Sequence, residues 1–395
     1  MNRQLTCAKK ASLLALALNV LFLSMVMSLR LKAQVAIGTL SGRVTGDPGY
    51  LITQAHVSTK NSLGPPKFEV DPSWPKPLPN RWVTGEVSGT CIDSQDHVFI
   101  LNRANLSAKE QMIATPAPPV IEFDQDGKVV NSWGDPKAIG ARFHGCFVDY
   151  QGNIWIGGTD DGVVQKYSHD GRKVLLQIGT KGTFDTSDGT STGAPMNSSH
   201  IFLNKPSDFA VDPANGDVYI SDGYGNRRIV VFDREGHFLR QWGQQGTRAQ
   251  TDAGVGGVFL KVVHCVVIGN DGLVYVCDRN GGRIEVFDKM GNFQRNILIG
   301  SKAAPQSAAN DAGSATWLAF SPDRAQKFMY VATGDEEVWI IDHATGETLA
   351  TFGQPGHQVG EFDHVHSVAV TSKGDIVTGE TTTGRRVQMF RLVSH

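Results

Sequence analysis

Residues 207–243 read SDFAVDPANGDVYISDGYGNRRIVVFDREGHFLRQWG, and this stretch predicts the fold of the whole chain. Three runs of residues that favour strands, DFAV, DVYISD and RRIVVFD, are each closed by a turn cluster, PANG, GYGN and DREGH. A fourth run, FLRQWG, follows them. No helical periodicity interrupts the four runs, so the stretch predicts a four-stranded antiparallel meander with Tyr224 in the turn between its second and third strands.

The same pattern occurs five more times along the chain. We take as its anchor the residue that begins the first run, as Ser207 does in SDFAVD. The six anchors are Ser88, His144, Ser207, His264, Thr316 and His366. Successive anchors are 56, 63, 57, 52 and 50 residues apart, and about 40–50 residues make one four-stranded blade before its loop. The repeat therefore predicts an all-β, six-bladed β-propeller around a central channel.

The composition is that of a globular, turn-rich protein. The 395 residues are 40% hydrophobic, include 44 glycines and carry a formal net charge of −2. A near-neutral chain without a basic stripe argues against a nucleic-acid partner. We expect a monomer.

Residues 1–34 predict either a signal peptide or an N-terminal membrane anchor. Lys9 and Lys10 precede the apolar run ASLLALALNVLFLSMVMSL, as in an export signal. The run is long, and Arg30 and Lys32 follow it, which also fits an uncleaved anchor. Both interpretations place the rest of the protein outside the cytoplasm, in the periplasm or the extracellular space, with or without an anchor.

Residues 35–65 are expected to be a linker or the remnant of a small β-domain, because they are too few to hold a core of their own. Residues 66–395 are expected to form the propeller. The last repeat supplies only three strands, whereas KFEVDPSWP at 67–75 contains a lone one. We therefore expect the N-terminal strand to complete the last blade and close the ring, which also covers an exposed edge.

Histidine occupies the anchor in every second repeat, at His144, His264 and His366. If the anchor lies at one mouth of the channel, three imidazoles project toward the axis about a third of a turn apart. Three histidines around an open fourth position are a common way to hold catalytic zinc. Any one of them alone would be better interpreted as a channel-lining residue. His364 is interpreted as a loop histidine or as an additional or substitute ligand.

Residues in the turns between second and third strands should surround these histidines. The innermost strand of a blade begins at one mouth of the channel, and the antiparallel second strand returns to that mouth. The turn after the second strand therefore lies on the same face as the anchors, and these turns carry Arg103, Tyr224 and Arg279. The planar guanidinium binds a carboxylate through two hydrogen bonds, which suits a substrate that carries one. Tyr224 lies between two glycines and is expected to be exposed; nearby cations favour the phenolate, the form that acts as a general base. The ordinary alternatives are rim ion pairs for the arginines and a surface aromatic for the tyrosine.

The runs SDFAVDPANGDVYISDGYGNRRIVVFDREGHFLRQWG, HCVVIGNDGLVYVCDRNGGRIEVF and HGCFVDYQGNIWIGGTDDGVVQKY resemble the NHL-type propeller of peptidyl-α-hydroxyglycine α-amidating lyases. The resemblance extends over roughly residues 66–392 and is most specific at DGYGNRRIV and DRNGGRI. It implies zinc held by the three anchor histidines, Tyr224 as the catalytic base, and Arg103 and Arg279 as the residues that bind the substrate carboxylate. The implied reaction cleaves the N–C bond of a carbinolamide to give an amide and glyoxylate.

The chain departs from that family at two positions. Ser367 follows the third histidine where the family has the aspartate of a structural calcium site, so calcium is doubtful. Gly225 stands where the family has a cysteine, so that disulfide is not expected. Two rival functions are open: a non-catalytic NHL propeller that binds a protein or glycan, and a calcium-dependent propeller hydrolase. The hydrolase would need oxygen ligands in the channel, whereas the anchors are His, Ser and Thr.

Three further features lie outside this group of residues. Cys265 and Cys277 flank a predicted turn symmetrically, and we leave open whether they form a disulfide or stay as buried thiols. The insertion at 179–204 is interpreted as a disordered surface loop in preference to part of a substrate rim. The remaining histidines of the turns are expected to be solvated: His169, His200, His237, His343 and His357.

Overall fold

The computed structural model describes residues 64–135, 139, 142–300 and 314–394. Nearly all of these residues lie in strands and tight turns, and they belong to one compact unit. The described ranges contain no helix that is long and apolar enough to cross a membrane. The predicted signal peptide or anchor at 1–34, and the segment 35–63 that follows it, lie outside the described residues.

Six four-stranded antiparallel sheets form the blades of a propeller, as the repeat predicted. From the innermost strand outward, blade 1 contains Val87–Ile92, Val98–Asn102, Val120–Phe123 and Val129–Trp133; blade 2 contains Phe143–Val148, Ile154–Gly158, Val163–Tyr167 and Val174–Ile178; blade 3 contains Asp208–Val211, Val218–Asp222, Arg228–Phe232 and Phe238–Trp242. Blade 4 contains Val263–Ile268, Val274–Asp278, Arg283–Phe287 and Phe293–Leu298; blade 5 contains Ala315–Phe320, Phe328–Thr333, Glu337–Asp342 and Thr348–Phe352; blade 6 contains Val365–Val370, Ile376–Glu380, Val387–Ser394 and Lys67–Val70.

Short elements decorate the loops between strands. They are the parallel pairs Trp82–Val83 with Thr115–Pro116 and Gln244–Gln245 with Val258–Phe259, the α-helices Ala108–Gln111 and Arg248–Asp252, and the 3₁₀ turns Pro79–Arg81 and Arg279–Gly281. Both α-helices begin with a capping box, at Ser107 and Thr247, in which side chains satisfy the first free N–H groups.

The ring closes through the N-terminal strand, as expected. Lys67–Val70 pairs antiparallel with the C-terminal strand Val387–Ser394, with Phe68 opposite Leu392 and Val70 opposite Phe390. Phe68 also packs against Tyr330 of blade 5, with ring centroids 5.6 Å apart. Joining the first and last strands of the propeller in one sheet pairs the edge that blade 6 would otherwise expose.

The turn after each innermost strand is built by an aspartate in blades 1 to 3. Asp149 Oδ1 accepts hydrogen bonds from the N–H groups of Gln151 and Asn153, both at 2.9 Å. Asp212 accepts from Ala214 in the same way, and Gly216 closes that turn with a φ of 84°, a conformation that glycine adopts at little cost. These turns lie at the channel mouth opposite the anchors, which we call the distal face.

The hydrophobic core lies between the blades. Six clusters of buried side chains occupy the six interfaces between neighbouring blades. The interface of blades 3 and 4, for example, buries Tyr219, Phe259 and Val276 completely. Each such aliphatic or aromatic side chain contributes about 1.5–3 kcal/mol when it is removed from water, so neighbouring blades stabilise one another.

Two disulfides are present in the described residues. Cys265 and Cys277 are bonded across the first two strands of blade 4, which decides between the two alternatives left open by the sequence. Cys91 and Cys146 form a second bond, between the innermost strands of blades 1 and 2. No local pattern in the sequence predicts this bond, because its partners come together only when the two blades pack.

Two expectations about the surface are wrong. His343 is buried, at 8% exposure, and its Nε2 lies 2.6 Å from the Tyr275 hydroxyl. The insertion at 179–204 is an ordered loop: Asp185 is buried and accepts a hydrogen bond from the N–H of Ser198 at 2.8 Å, and Leu203 is fully buried. Polar and apolar contacts with blade 3 organise this segment, and its composition alone does not reveal them.

Candidate metal and catalytic site

Three histidines meet in the channel at the anchor face. His144, His264 and His366 are each the second residue of an innermost strand, in blades 2, 4 and 6, and each is at most 3% exposed. Their ring centroids are 4.6–5.0 Å apart, and their potential ligand atoms all lie within 4.8 Å of one another. Alternate blades thus bring together three residues that are more than 100 positions apart in the sequence, and we call them the three-histidine cluster.

Backbone carbonyls orient all three rings in the same way. The Nδ1 atom of His144 lies 2.7 Å from the carbonyl oxygen of Ser207, that of His264 lies 2.6 Å from Thr316, and that of His366 lies 2.9 Å from Ser88. Each carbonyl belongs to the anchor of the next blade. Because a carbonyl oxygen only accepts, each Nδ1 carries the hydrogen and each Nε2 presents a lone pair.

The cluster is held in its neutral form. Burial is the main cause that lowers the pKa of each imidazole well below its usual value, and the neighbouring histidines and the guanidinium groups of Arg103 and Arg279 lower it further. A neutral imidazole with a free lone pair is the form that binds a metal.

The donor set fits zinc. Structural and catalytic zinc is bound by imidazole nitrogens, and catalytic sites keep a position open beyond three protein ligands. A ligand histidine typically donates its other N–H to a carbonyl or carboxylate, and all three rings do so here. The residues present would therefore accommodate the ion, although its binding stays a prediction.

Tyr224 projects into the same cluster. Its hydroxyl oxygen lies 3.0 Å from Nε2 of His144 and 3.1 Å from Nε2 of His264. The hydroxyl has one proton for these two acceptor nitrogens, so a cation at the point where they converge would relieve the remaining contact. The sequence placed Tyr224 in the correct turn. The expectation that it is exposed was wrong: the side chain is half-buried, because the turn folds over the channel mouth.

The turn that carries Tyr224 is fixed by the ordered insertion. The N–H groups of Tyr224 and Gly225 donate to the carbonyls of Lys205 and Asn204. The fully buried Asp222 accepts from the N–H of Asn204 at 2.7 Å and from Arg228 Nε at 2.9 Å. The insertion therefore acts on the site by holding this turn.

Arg279 and Arg103 approach from blades 4 and 1. Arg279 is 8% exposed and begins a 3₁₀ turn, and its Nη1 lies 3.4 Å from Nε2 of His264. Arg103 donates from Nε to the carbonyl of Phe143, the residue before His144, at 3.1 Å. The structure thus places both predicted arginines beside the cluster, and their charges lower the pKa of its imidazoles.

Comparison with known proteins gives these residues a context. An NHL repeat model matches residues 203–232, the segment that contains Tyr224. The chain is 24% identical over 330 residues to peptidyl-glycine alpha-amidating monooxygenase A of Xenopus laevis, covering 79% of this chain and 32% of that protein. It is 22% identical over 322 residues to a probable peptidyl-alpha-hydroxyglycine alpha-amidating lyase of Caenorhabditis elegans, covering 77% and 82% of the two chains.

The chain resembles the amidating lyases. The resemblance predicted from the sequence is thereby confirmed, and the names of these relatives point to amidating enzymes. The chain spans about a third of the length of the Xenopus relative. A solved streptogramin B lyase superposes with a TM-score of 0.50 at 12% identity, over 83% of this chain and 98% of that one, which supports the propeller fold alone.

Glu86 is a residue of this site that the sequence analysis missed. Its carboxylate forms an ion pair with Nη1 of Arg103, whose side chain is only 8% exposed. The pair agrees with the ordinary interpretation of Arg103 as a paired arginine, and it also fixes the direction in which the guanidinium points. No sequence signal marks Glu86, because the contact joins a loop before blade 1 to the turn after its second strand.

Trp317 is the second residue that the sequence analysis missed. Its ring lies 5.9–6.0 Å from all three rings of the histidine cluster, and it is 4% exposed. On the other side it lines a cavity of about 440 Å³, whose walls are mainly Val, Phe and Ala side chains of the innermost strands. Trp317 therefore separates the cluster from the distal half of the channel. Its position directly after the anchor Thr316 was the available signal.

His364 lies at the edge of the site. It has a φ of 63°, and its ring lies 6.3 Å from that of His366 in a nearly parallel orientation. The segment is held from blade 5, where Glu336 accepts a hydrogen bond from the N–H of Val365 at 2.9 Å. Burial raises the pKa of Glu336 to about 7.

Proposed function

We propose that this protein is a zinc-dependent carbon–nitrogen lyase that cleaves a peptidyl-α-hydroxyglycine-like carbinolamide into a primary amide and glyoxylate. One observation carries the proposal: the hydroxyl of Tyr224 and the guanidinium of Arg279 lie within 3.0–3.4 Å of the converging nitrogens of the three-histidine cluster. A base, a carboxylate-binding cation and a metal-binding set thus occupy one channel mouth.

The arginines suit the carboxylate of the substrate. A guanidinium binds a carboxylate through two parallel hydrogen bonds, and the restricted exposure of both side chains strengthens the attraction by excluding water. Glu86 balances one of the two positive charges.

The reaction relocates one proton and breaks one bond. Tyr224, as the phenolate, accepts the proton of the substrate hydroxyl. The oxygen then forms the C=O bond of glyoxylate while the C–N bond breaks. The electron pair of the broken C–N bond stays on the amide nitrogen. The nitrogen takes up a proton, for which Tyr224 is the nearest donor, so that the primary amide leaves and the tyrosine is ready for another turnover.

Zinc bound by His144, His264 and His366 would supply a Lewis acid that polarises the substrate oxygen. Calcium forms no part of the proposal, because Ser367 follows the third histidine and its hydroxyl lies 3.2 Å from that of Thr90. We also propose that the protein is an exported monomer in the periplasm or the extracellular space, with or without an N-terminal anchor. Its substrate is a small molecule or peptide with a carboxylate.

Glyoxylate release from α-hydroxyhippurate by the purified chain tests the proposal. We expect release that a chelator abolishes and that zinc, added back, restores. His264→Gln should abolish release and the binding of zinc at the three-histidine cluster, whereas the matched control His237→Gln, an exposed histidine in a turn of blade 3, should change neither. No release from protein that holds one zinc per cluster would disprove this substrate class. No metal at the three-histidine cluster and no release would favour a non-catalytic binding propeller.

A further inference from the structure

Two carboxylates and two imidazoles meet at the distal face, between blades 1 and 2. Asp93 directly follows the innermost strand of blade 1, His97 lies in the same turn, and Glu122 lies on the third strand of that blade. His169 comes from the turn between the third and fourth strands of blade 2. We call these four residues the distal cluster; they lie at the opposite end of the blades from the three-histidine cluster.

The side chains of the distal cluster point at one another. His169 Nε2 lies 3.1 Å from Asp93 Oδ2, and His97 Nδ1 lies 2.8 Å from Glu122 Oε1 and 3.6 Å from Asp93 Oδ2. Potential ligand atoms of Asp93, Glu122 and His169 all lie within 4.8 Å of one another. Ligands at about 2.0 Å around a tetrahedral zinc are about 3.3 Å apart, so small movements would bring these atoms to ligand distances.

The carboxylates of the distal cluster are buried, and no Lys or Arg of the described residues pairs with them. The side chain of Asp93 is 5% exposed and that of Glu122 is 6% exposed. Within the described ranges, their ion-pair partners are the two imidazoles alone. Buried charges are normally paired with an opposite charge or bind a metal.

In the equivalent turns of the next two blades, a lysine pairs with the buried aspartate. Asp149 of blade 2 pairs with Lys166 Nζ at 2.9 Å, and Asp212 of blade 3 pairs with Lys289 Nζ at 2.6 Å. In blade 1 the same position faces two imidazoles and a second carboxylate. Blade 1 therefore has two carboxylates and two imidazole nitrogens where the next two blades have a single aspartate–lysine ion pair. This combination is typical of a set of metal ligands.

We propose that the distal cluster binds a divalent transition-metal ion of the zinc class through Asp93, Glu122 and His169, with His97 as the adjacent fourth donor. Imidazole and carboxylate together suit zinc and its neighbours better than calcium or magnesium. Asp93 Oδ1 is occupied by the N–H groups of Gln95 and His97, both at 2.8 Å, which directs Oδ2 into the cluster.

Access and orientation support the same site. The side chain of His169 is 44% exposed, so an ion reaches the cluster from solvent. Its ring packs edge-on against Phe99 of blade 1, with centroids 5.3 Å apart, which fixes its direction. Since the ligands come from two blades, the ion would link blades 1 and 2 at the distal face. The Cys91–Cys146 disulfide joins the same two blades inside the channel.

Cobalt titration of the chelator-stripped full chain tests the proposal. We expect His169→Gln to bind one Co²⁺ fewer than the wild type, with the loss of one tetrahedral absorption band. Its matched control is His237→Gln, where a histidine pairs with the single carboxylate of Asp233 at 3.0 Å; this variant should keep the wild-type stoichiometry. Excess Ca²⁺ or Mg²⁺ should not displace the ion.

Two further variants separate the distal cluster from the three-histidine cluster. His366→Gln should retain the band that His169→Gln removes, whether or not the three-histidine cluster binds metal. Glu122→Gln removes one charge without changing shape and should weaken the distal ion by more than the roughly 10- to 100-fold that the loss of an outer partner costs. Equal stoichiometry in the wild type and His169→Gln would overturn the proposal and leave the distal cluster as two histidine–carboxylate ion pairs.

Discussion

Tyr224→Phe removes one oxygen atom from the candidate site and leaves the ring in place. The oxygen that is lost lies 3.0 Å and 3.1 Å from two nitrogens of the three-histidine cluster. The ring itself packs edge-on against His144 and His264, with centroids 5.2 Å and 5.7 Å away, and phenylalanine keeps these contacts. The backbone bonds that hold the turn are also unchanged.

The magnitude follows from the role of the hydroxyl. A positioned general base contributes roughly 10²- to 10⁴-fold to the rate, which is about 3–5 kcal/mol of transition-state stabilisation. An ordinary neutral hydrogen bond contributes about 1 kcal/mol to folding, so the variant should remain folded. We therefore expect kcat for glyoxylate release to fall at least 100-fold, with a small change in the free energy of unfolding.

The assay compares single-turnover glyoxylate release with zinc content in the same preparations. Tyr150→Phe, an exposed tyrosine on the distal side of the channel, serves as the control and should match the wild type. Release by the Tyr224 variant within tenfold of wild type, at equal zinc content, would refute the assignment of Tyr224 as the base. A loss of zinc in the variant would instead assign the hydroxyl to metal binding.

Three other outcomes are expected. Arg279→Lys keeps the positive charge but cannot form two parallel hydrogen bonds to a carboxylate. Because hydrogen bonds to charged groups contribute about 1.5–3 kcal/mol, KM for α-hydroxyhippurate should rise about 10-fold or more. KM for the methyl ester of α-hydroxyhippurate, which has no carboxylate, should change little. Burial lowers the pKa of the imidazoles in the three-histidine cluster, so protons compete with a metal ion for them only at lower pH. The affinity of this cluster for Co²⁺ should therefore stay constant from pH 8 to about 6.5 and fall only below that pH. A decline in affinity that begins above pH 7 would contradict this reasoning. Replacing both cysteines of the Cys91–Cys146 disulfide by serines should lower the free energy of unfolding by about 4 kcal/mol, and the same change at Cys265–Cys277 should lower it by about 3 kcal/mol. The difference follows from the loops that the bonds close, whose sequence separations are 55 and 12 residues. If urea unfolding ranks the two variants in the opposite order, loop entropy is not the cause.

Much of the fold was predictable because a propeller repeats one local pattern. Strand runs, turn clusters and the spacing of the anchors depend on neighbouring residues, so each blade can be read from its own segment. The three-histidine cluster could be predicted for the same reason. A residue type that recurs at one position of alternate blades must converge on the axis once the ring closes, as His144, His264 and His366 do.

The features that the sequence did not predict depend on contacts between blades. Glu86 beside Arg103, Trp317 below the three-histidine cluster and the Cys91–Cys146 bond each join segments that meet only after packing. The distal cluster belongs to the same class: His169 was expected to be solvated, and although its ring is exposed, its Nε2 meets a carboxylate of the neighbouring blade.

The number of blades, the order of strands, the closure by Lys67–Val70 and the face on which Tyr224 lies could all be predicted from local patterns along the chain. These follow from local strand and turn preferences and from the alternation of strand direction. Tertiary structure alone decided how deeply Tyr224 is buried and that the insertion at 179–204 is ordered. Burial and the pairing of charges depend on which atoms of distant segments occupy the same space, and that is set only when the ring has closed.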